Sequence, residues 1–469
     1  MVRVLHNNTP SDAPKGTHPS REVGLFFRVS VALPNFEPWS IAMHLTRPGE
    51  AVTRWARDDK AFAAIGSVAE RCFEGKNRFA EADDWTQAFR QSLLGPCGSM
   101  DLAGVPLFIG GFSFSDEMSP ALDGPWMGWV PGILRVPRLV LYTENDRCVA
   151  ILTERLKVGQ NPSGRKEALR EELHEAMSRP LGMPLPQPAG LDVDTCDGVL
   201  ERDFRSAVDA ALDSFADTSA DAPLSKVVVS RRARYVASGQ FAPNTALLRL
   251  RERFRECTTF SFEDPFGRHF LGATPELLVR KRGVHAQTRA LAGTVRVDSP
   301  CGPENLLKSN KDQREHAFVV RAIEDALRGV ATSVTSEDEP HLRTLRHMVH
   351  LETSIEAALR PSVTLVQALA CLHPTPAVGG FPRKQAIQFL SRHERSERGW
   401  YAGPIGWIDE EGDGEFHVAL RCGVMDGRNA WAFAGAGIVE GSDADAEWSE
   451  TETKLGPFYG AMCDKVGPA

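Results

Sequence analysis

Two stretches of this 469-residue chain carry carboxylates where a helix would turn them inward. Over Pro303–Val330 the spacing of Phe318, Val319, Ala322, Ile323, Ala326 and Leu327 predicts an amphipathic helix. Projected back by four and seven residues, its apolar stripe reaches Glu315 and Asp312. A carboxylate on a core-facing stripe is costly unless a cation or strong donors compensate it. Near the C-terminus, Asp443–Tyr459 sets Glu447, Glu450 and Lys454 on one helical face at i, i+3 and i+7. Taken singly, Glu315 also suits a solvated helix end, and Glu450 with Lys454 a surface ion pair. What sets the second stretch apart is its entry, Ala434–Gly441 (AGAGIVEG), read as a glycine-rich turn whose backbone N–H groups can approach an anion closely. Two helices that each offer a hard oxygen ligand suit Mg²⁺, which takes few protein carboxylates and fills its other positions with water or substrate oxygens. Glu315 and Glu450 are therefore expected as ligands, with Asp312 and Glu447 as outer or water-mediated partners.

The elements that must position these groups follow from the pattern of the chain. Residues 1–21, rich in Asn, Pro, Ser and Thr, are expected to be a flexible leader. The following 22–180 part is β-rich, with runs such as Pro106–Phe114 and Leu134–Tyr142, and ends in a helix over Arg165–Met177. The prolines at 180, 184, 186 and 188 mark a linker over 181–199. In the 200–464 part, Phe204, Val208, Ala211, Leu212 and Phe215 share one helical face and Lys226–Ser230 reads as a buried strand. Helices and strands mix without a regular βαβ rhythm, which predicts an α+β fold of largely antiparallel sheets covered by helices.

Composition excludes several function classes. With 54 basic and 62 acidic residues the net charge is -8, and no extended basic patch is present to bind nucleic acid or anionic lipid. A few inward-pointing cations can still hold a small anion. The nine cysteines are scattered and never form a C-x-x-C pair, so they are expected as reduced thiols. No run is long and apolar enough for a membrane span, and a cytoplasmic location is expected. Gly435-x-Gly437 followed by Gly441 has the wrong spacing for a dinucleotide loop, and His347 with His350 lacks a third zinc ligand. A G-x-S-x-G elbow is absent.

Eight ordered segments resemble the chorismate-utilising enzymes, which include isochorismate, salicylate, anthranilate and aminodeoxychorismate synthases. They are Lys226–Arg231 (KVVVSR), Phe270–Leu278 (FLGATPELL), Ala290–Thr294 (ALAGT), Lys311–His316 (KDQREH), His373–Pro382 (HPTPAVGGFP), Arg398–Trp407 (RGWYAGPIGW), Val418–Cys422 (VALRC) and Gly435–Lys454. The resemblance spans Phe204 to Met462 and implies one two-lobed α/β sandwich with the active site between its lobes. It implies that Glu315 and Glu450 hold Mg²⁺ against the ring carboxylate of chorismate. Arg421, Tyr401 and the backbone of Gly435 and Gly437 would contact the enolpyruvyl carboxylate, and Lys454, Gly293, Thr294, His350 and Ala377 would line the same cavity. Lys226 would activate water for attack at C2, which requires its neutral form, and Glu276 would protonate the departing C4 hydroxyl.

Within that family, Lys226 favours water as nucleophile, because anthranilate synthases carry glutamine there and use ammonia. Ala292 stands where aminodeoxychorismate synthases supply a nucleophilic lysine, so no amidotransferase subunit is expected. Ala377 stands where salicylate synthases typically have threonine. Isochorismate formation is the expected activity. Salicylate synthesis, with a second step that eliminates pyruvate, is the rival, and a catalytically silent chorismate-binding subunit is the alternative of another class. With no sustained heptad seam, a monomer or weak dimer is expected.

Overall fold

Alternate residues of the long strand Lys60–Cys72 serve two cores: Ala61, Ala63 and Ile65 face one, Phe62 and Ala64 the other. That two-sided burial organises the molecule. The computed structural model describes residues 25–94, 102–118, 124–157, 162–178, 191–192, 197–216, 223–264, 266–297, 302–346 and 348–463. Hydrogen bonding connects twenty described strands, every ladder of them antiparallel.

The strands form two runs that meet at Gly132–Glu144. One passes through Lys60–Cys72, Val52–Arg57, Thr258–Glu263, His269–Thr274, Cys422–Asp426 and Asn429–Val439 to Lys226–Ala237. The other passes through Phe108–Phe112, Pro404–Ile408, Gly414–Val418, Leu277–Arg282 and His285–Arg296 to Met348–Leu359. Strands from the first third thus pair directly with strands from the last two. An aromatic core including Trp55, Phe62, Phe260, Phe270, Trp407 and Phe416 draws on both runs. Helices Pro38–Leu45, Pro162–Ser178, Pro243–Arg253 and Ala444–Cys463 pack Trp39, Leu169, Leu250 and Leu455 into the second core.

The α+β expectation holds, and several details depart from the reading of the sequence. The 22–180 part also contains helices Pro38–Leu45 and Arg78–Gln91. The first is started by Glu37, whose side chain accepts from the Ser40 N–H at 2.7 Å, and by Pro38 in its first turn. The second buries Ala82, Thr86 and Phe89, a helical spacing hidden among charged residues. The helix expected over Pro303–Val330 is a 3₁₀ turn, Pro303–Leu307, followed by Asn310–Arg328 with Ser309 as its cap. Its buried stripe is Val319, Ile323 and Leu327, whereas Phe318 is 36% exposed. The leader at 1–21 and most of the 181–199 linker lie outside the described residues.

Candidate active site

Lys226 is the first residue of the strand Lys226–Ala237, and its side chain is fully buried. Burying an ammonium demands a partner, and its Nζ lies 2.7 Å from Glu315 Oε1 on the helix Asn310–Arg328. A cavity of about 90 Å³ opens beside this pair. Its walls come from nine separate segments of the chain, and they gather Lys226, Glu276, Gly293, Thr294, Glu315, His350, Ala377, Arg421, Gly435, Gly437, Glu450 and Lys454.

Glu276 sits in the turn between the strands His269–Thr274 and Leu277–Arg282. The turn is pinned: Glu276 N–H donates to Thr274 Oγ1 at 3.2 Å and Val418 N–H donates to the Glu276 carbonyl at 3.0 Å. Burial raises the Glu276 carboxyl to about 7 even though Lys226, Arg421 and Lys454 all pull it down. Loss of hydration therefore outweighs three cations. The carboxyl keeps its proton up to neutral pH, the state a proton donor needs.

Gly293 breaks the pairing of His285–Arg296 with Met348–Leu359, where the register shifts between Ala292 and Thr294. It adopts φ +72°, and a side chain there would press on the Cβ of Asp312 at 3.3 Å. Glycine thus lets the helix carrying Asp312 and Glu315 approach the sheet. Beyond the bulge, Thr294 Oγ1 and His350 Nδ1 are 2.9 Å apart. Burial and the nearby Arg421 and Lys454 charges lower His350 to about 3, so its ring is neutral at physiological pH.

Gly435 and Gly437 lie in the strand Asn429–Val439, which corrects the turn expected over Ala434–Gly441. Their carbonyl and N–H groups still face away from the neighbouring strand. The Gly435 carbonyl accepts from Lys454 Nζ at 2.9 Å, and N–H and C=O of one strand residue point to the same side. Opposite them, Ser230 N–H and Val228 N–H likewise turn outward, to Glu394 and to the Gly379 carbonyl. The strand therefore presents its glycine N–H groups to the cavity. A Cβ on Gly437 would meet Glu315 Oε1 at 3.2 Å and Lys226 Cε at 3.3 Å, so only glycine leaves that wall open.

Lys454 also pairs with Glu450, one turn earlier on Ala444–Cys463. Arg421 reaches the cavity from a backbone held at φ +50°, an uncommon conformation for a side chain of its size. Three predicted residues do not line the cavity. Tyr401 stands behind Gly435, its hydroxyl 3.1 Å from where a Gly435 Cβ would be. Asp312 packs behind Gly293, and Glu447 accepts from Ser442 Oγ at 2.8 Å at the start of its helix. Val228, Pro275, Leu291 and Leu420 also line it; as apolar residues they carry no chemical signal in the sequence, although each lies within one of the matched segments.

Among the described residues no group of three or more His, Cys, Asp or Glu gathers as a metal cage. Glu315 and Glu450, carboxylates from different helices, line the same cavity, and hard oxygen donors of this kind suit Mg²⁺. With Glu276 protonated, the cations Lys226, Arg421 and Lys454 outnumber the remaining anions Glu315 and Glu450. The cavity therefore favours an anionic ligand.

A family model described as chorismate binding enzyme matches residues 17–463. The chain is 32% identical over 421 residues to the salicylate biosynthesis isochorismate synthase of Pseudomonas aeruginosa, covering 87% of this chain and 84% of that protein. It is 28% identical over 421 residues to the isochorismate synthase MenF of Bacillus subtilis, covering 87% of each. Its fold is similar to that of the menaquinone-specific isochorismate synthase MenF from Escherichia coli, with a TM-score of 0.74 at 24% identity over 94% of this chain and 95% of that one.

Proposed function

Because the chain belongs to the chorismate binding enzymes, we propose that it isomerises chorismate to isochorismate. The observation that carries this reading is the joint presence of a buried lysine and a buried, proton-retaining carboxyl on one cavity. The reaction requires Lys226 first to give up the proton it shares in its pairing with Glu315; as a neutral amine it then takes a proton from a water molecule as the water oxygen forms a bond to C2. The ring double bonds shift, the C4–O bond breaks, and Glu276 gives its proton to the leaving hydroxyl, which departs as water. One water enters and one leaves, so atoms and charge balance once Lys226 returns its proton to Glu276 through solvent.

Mg²⁺ held by Glu315 and Glu450 would supply positive charge for the ring carboxylate. The enolpyruvyl carboxylate would meet Arg421 and the N–H groups of Gly435 and Gly437, with Tyr401 supporting that wall from behind. Thr294, His350, Lys454 and Ala377 would shape the space around the ring. Asp312 and Glu447 would act from behind the ligands, fixing the two helices that carry them. His350, neutral and with Nε2 lacking a hydrogen-bond partner, offers a donor or acceptor without adding charge. The relatives' names share isochorismate as product while pointing to different pathways, so the proposal extends to the reaction and not to its destination.

The test is a product assay. With chorismate and Mg²⁺ the protein is expected to yield isochorismate without pyruvate, and chelation with EDTA to stop turnover until Mg²⁺ is restored. Stoichiometric pyruvate with salicylate would move the reading to salicylate synthesis. Chorismate binding without turnover would move it to a silent binding subunit.

A further inference from the structure

Phe318 and Phe381 form a contact that the reaction scheme leaves without a role. Their rings stack with centroids 5.7 Å apart and planes at 21°. Phe381 lies directly opposite Lys226 in the antiparallel pairing of Gly380–Phe381 with the start of Lys226–Ala237. Residues opposite each other in such a ladder project from the same face. Phe318 is three residues beyond Glu315, one helical turn along the same side of Asn310–Arg328. The four side chains therefore close a square: Lys226 with Glu315 by an ion pair, Phe381 with Phe318 by a ring stack. Two edges are covalent or backbone-paired, one along the helix and one across the ladder.

The sequence offers a reason to look for such a contact. Phe318 belongs to the apolar stripe by spacing, yet it is 36% exposed and is not part of the buried row of Val319, Ile323 and Leu327. Burial against the core therefore does not account for an aromatic residue there. What the ring does touch is the segment that borders the buried lysine. A helix free to roll on Val319, Ile323 and Leu327 would carry Glu315 past Lys226, because a roll displaces every residue on the near flank together. The ring stack lies on that flank and opposes it.

We propose that Phe318 and Phe381 are positioning residues that fix the rotation of the helix Asn310–Arg328, so that Glu315 meets Lys226 and faces the cavity. This rests on the roles given above to Lys226 and Glu315. A small misplacement of such groups is costly, since a shift of about 1 Å can lower a rate about 100-fold. Stability should depend far less on a ring that is already partly in water.

Phe318→Ala is expected to lower kcat about 10- to 100-fold with a change in KM for chorismate below about twofold. Calorimetric Mg²⁺ affinity measured without chorismate should weaken, while Tm moves by less than about 4 °C. Phe318→Tyr, which keeps the ring, should restore all three. Phe381→Leu should reproduce the loss, and the double variant should fall no further than either single one. Wild-type kcat and Mg²⁺ affinity in Phe318→Ala would overturn the proposal, as would a Phe318→Tyr variant as impaired as Phe318→Ala. A wild-type protein that makes no isochorismate would count against the assigned reaction instead, and the Mg²⁺ titrations would still decide the role of the stack.

Discussion

Lys226→Ala is expected to lower kcat by about 10²- to 10⁴-fold while leaving chorismate affinity within a few-fold of wild type. The size follows from what general base catalysis contributes, and the split follows from geometry. In the proposed reaction Lys226 serves the attacking water, whereas the substrate carboxylates are assigned to other groups lining the same cavity, Arg421 and the glycine N–H groups, and to the metal. Removing the amine also leaves Glu315 without its 2.7 Å partner, so metal binding by Glu315 should be retained or strengthened. Steady-state kinetics together with calorimetric titration of chorismate would check both halves. A variant that keeps most of its turnover would remove Lys226 as the base. One that loses affinity in proportion to rate would make it a binding group.

Glu276→Gln should cause a loss of similar size, about 10²- to 10⁴-fold in kcat, and it carries a pH signature. The working form of Glu276 is the protonated one. Its carboxyl is raised from 4.5 to about 7 by burial, so wild-type kcat/KM should fall as pH rises through about 7. Glutamine cannot ionise, so this alkaline limb should be missing from the residual activity of the variant. His350 is not expected to confuse the profile, because its ring stays neutral well above its value of about 3. The same burial has a stability consequence of known sign. The folded chain holds the Glu276 proton more tightly than the unfolded chain, so this group's contribution becomes unfavourable as pH rises from about 4.5 to about 7. A kcat/KM profile with no limb near 7 would separate Glu276 from proton donation.

The groups that could do chemistry were legible because their spacing conflicts with simple burial. Glu315 beside an apolar stripe, and Glu450 with Lys454 after a run of glycines, are hard to explain as packing alone, and both helices bring their carboxylates to one cavity. Lys226 and Glu276 carried no such signal. A lysine at a strand start and a glutamate after a proline are ordinary on the surface, and only the resemblance of KVVVSR and FLGATPELL to a known family singled them out. Their burial depends on strands distant in sequence, since Lys226 is enclosed by Val439 and Phe381 and Glu276 by Val418.

The errors have equally local causes. The glycines of Ala434–Gly441 predict a turn because glycine disfavours strands, yet pairing with Ser230, Val228 and their neighbours holds the stretch extended as far as Val439. In place of a turn, a strand turns the N–H groups of Gly435 and Gly437 outward from its ladder with Lys226–Ala237. The helices at Pro38–Leu45 and Arg78–Gln91 are not legible in the sequence, because one is short and the other carries its apolar residues among charges. Tyr401 stands behind a glycine, a relation that only packing can reveal: Phe433 stacks on its ring with centroids 5.5 Å apart, and Trp126 stacks on Phe433 at 5.2 Å.

The proton traffic assigned to Lys226 and Glu276 has meaning only if solvent supplies the new hydroxyl, and isotope labelling reads that directly. Turnover of chorismate in oxygen-18-labelled water should place one heavy oxygen on C2 of the isochorismate formed, with the original C4 oxygen lost to solvent. Isochorismate that carries no label would show the hydroxyl passing within the substrate, and the opposed base and acid would have no part in the reaction.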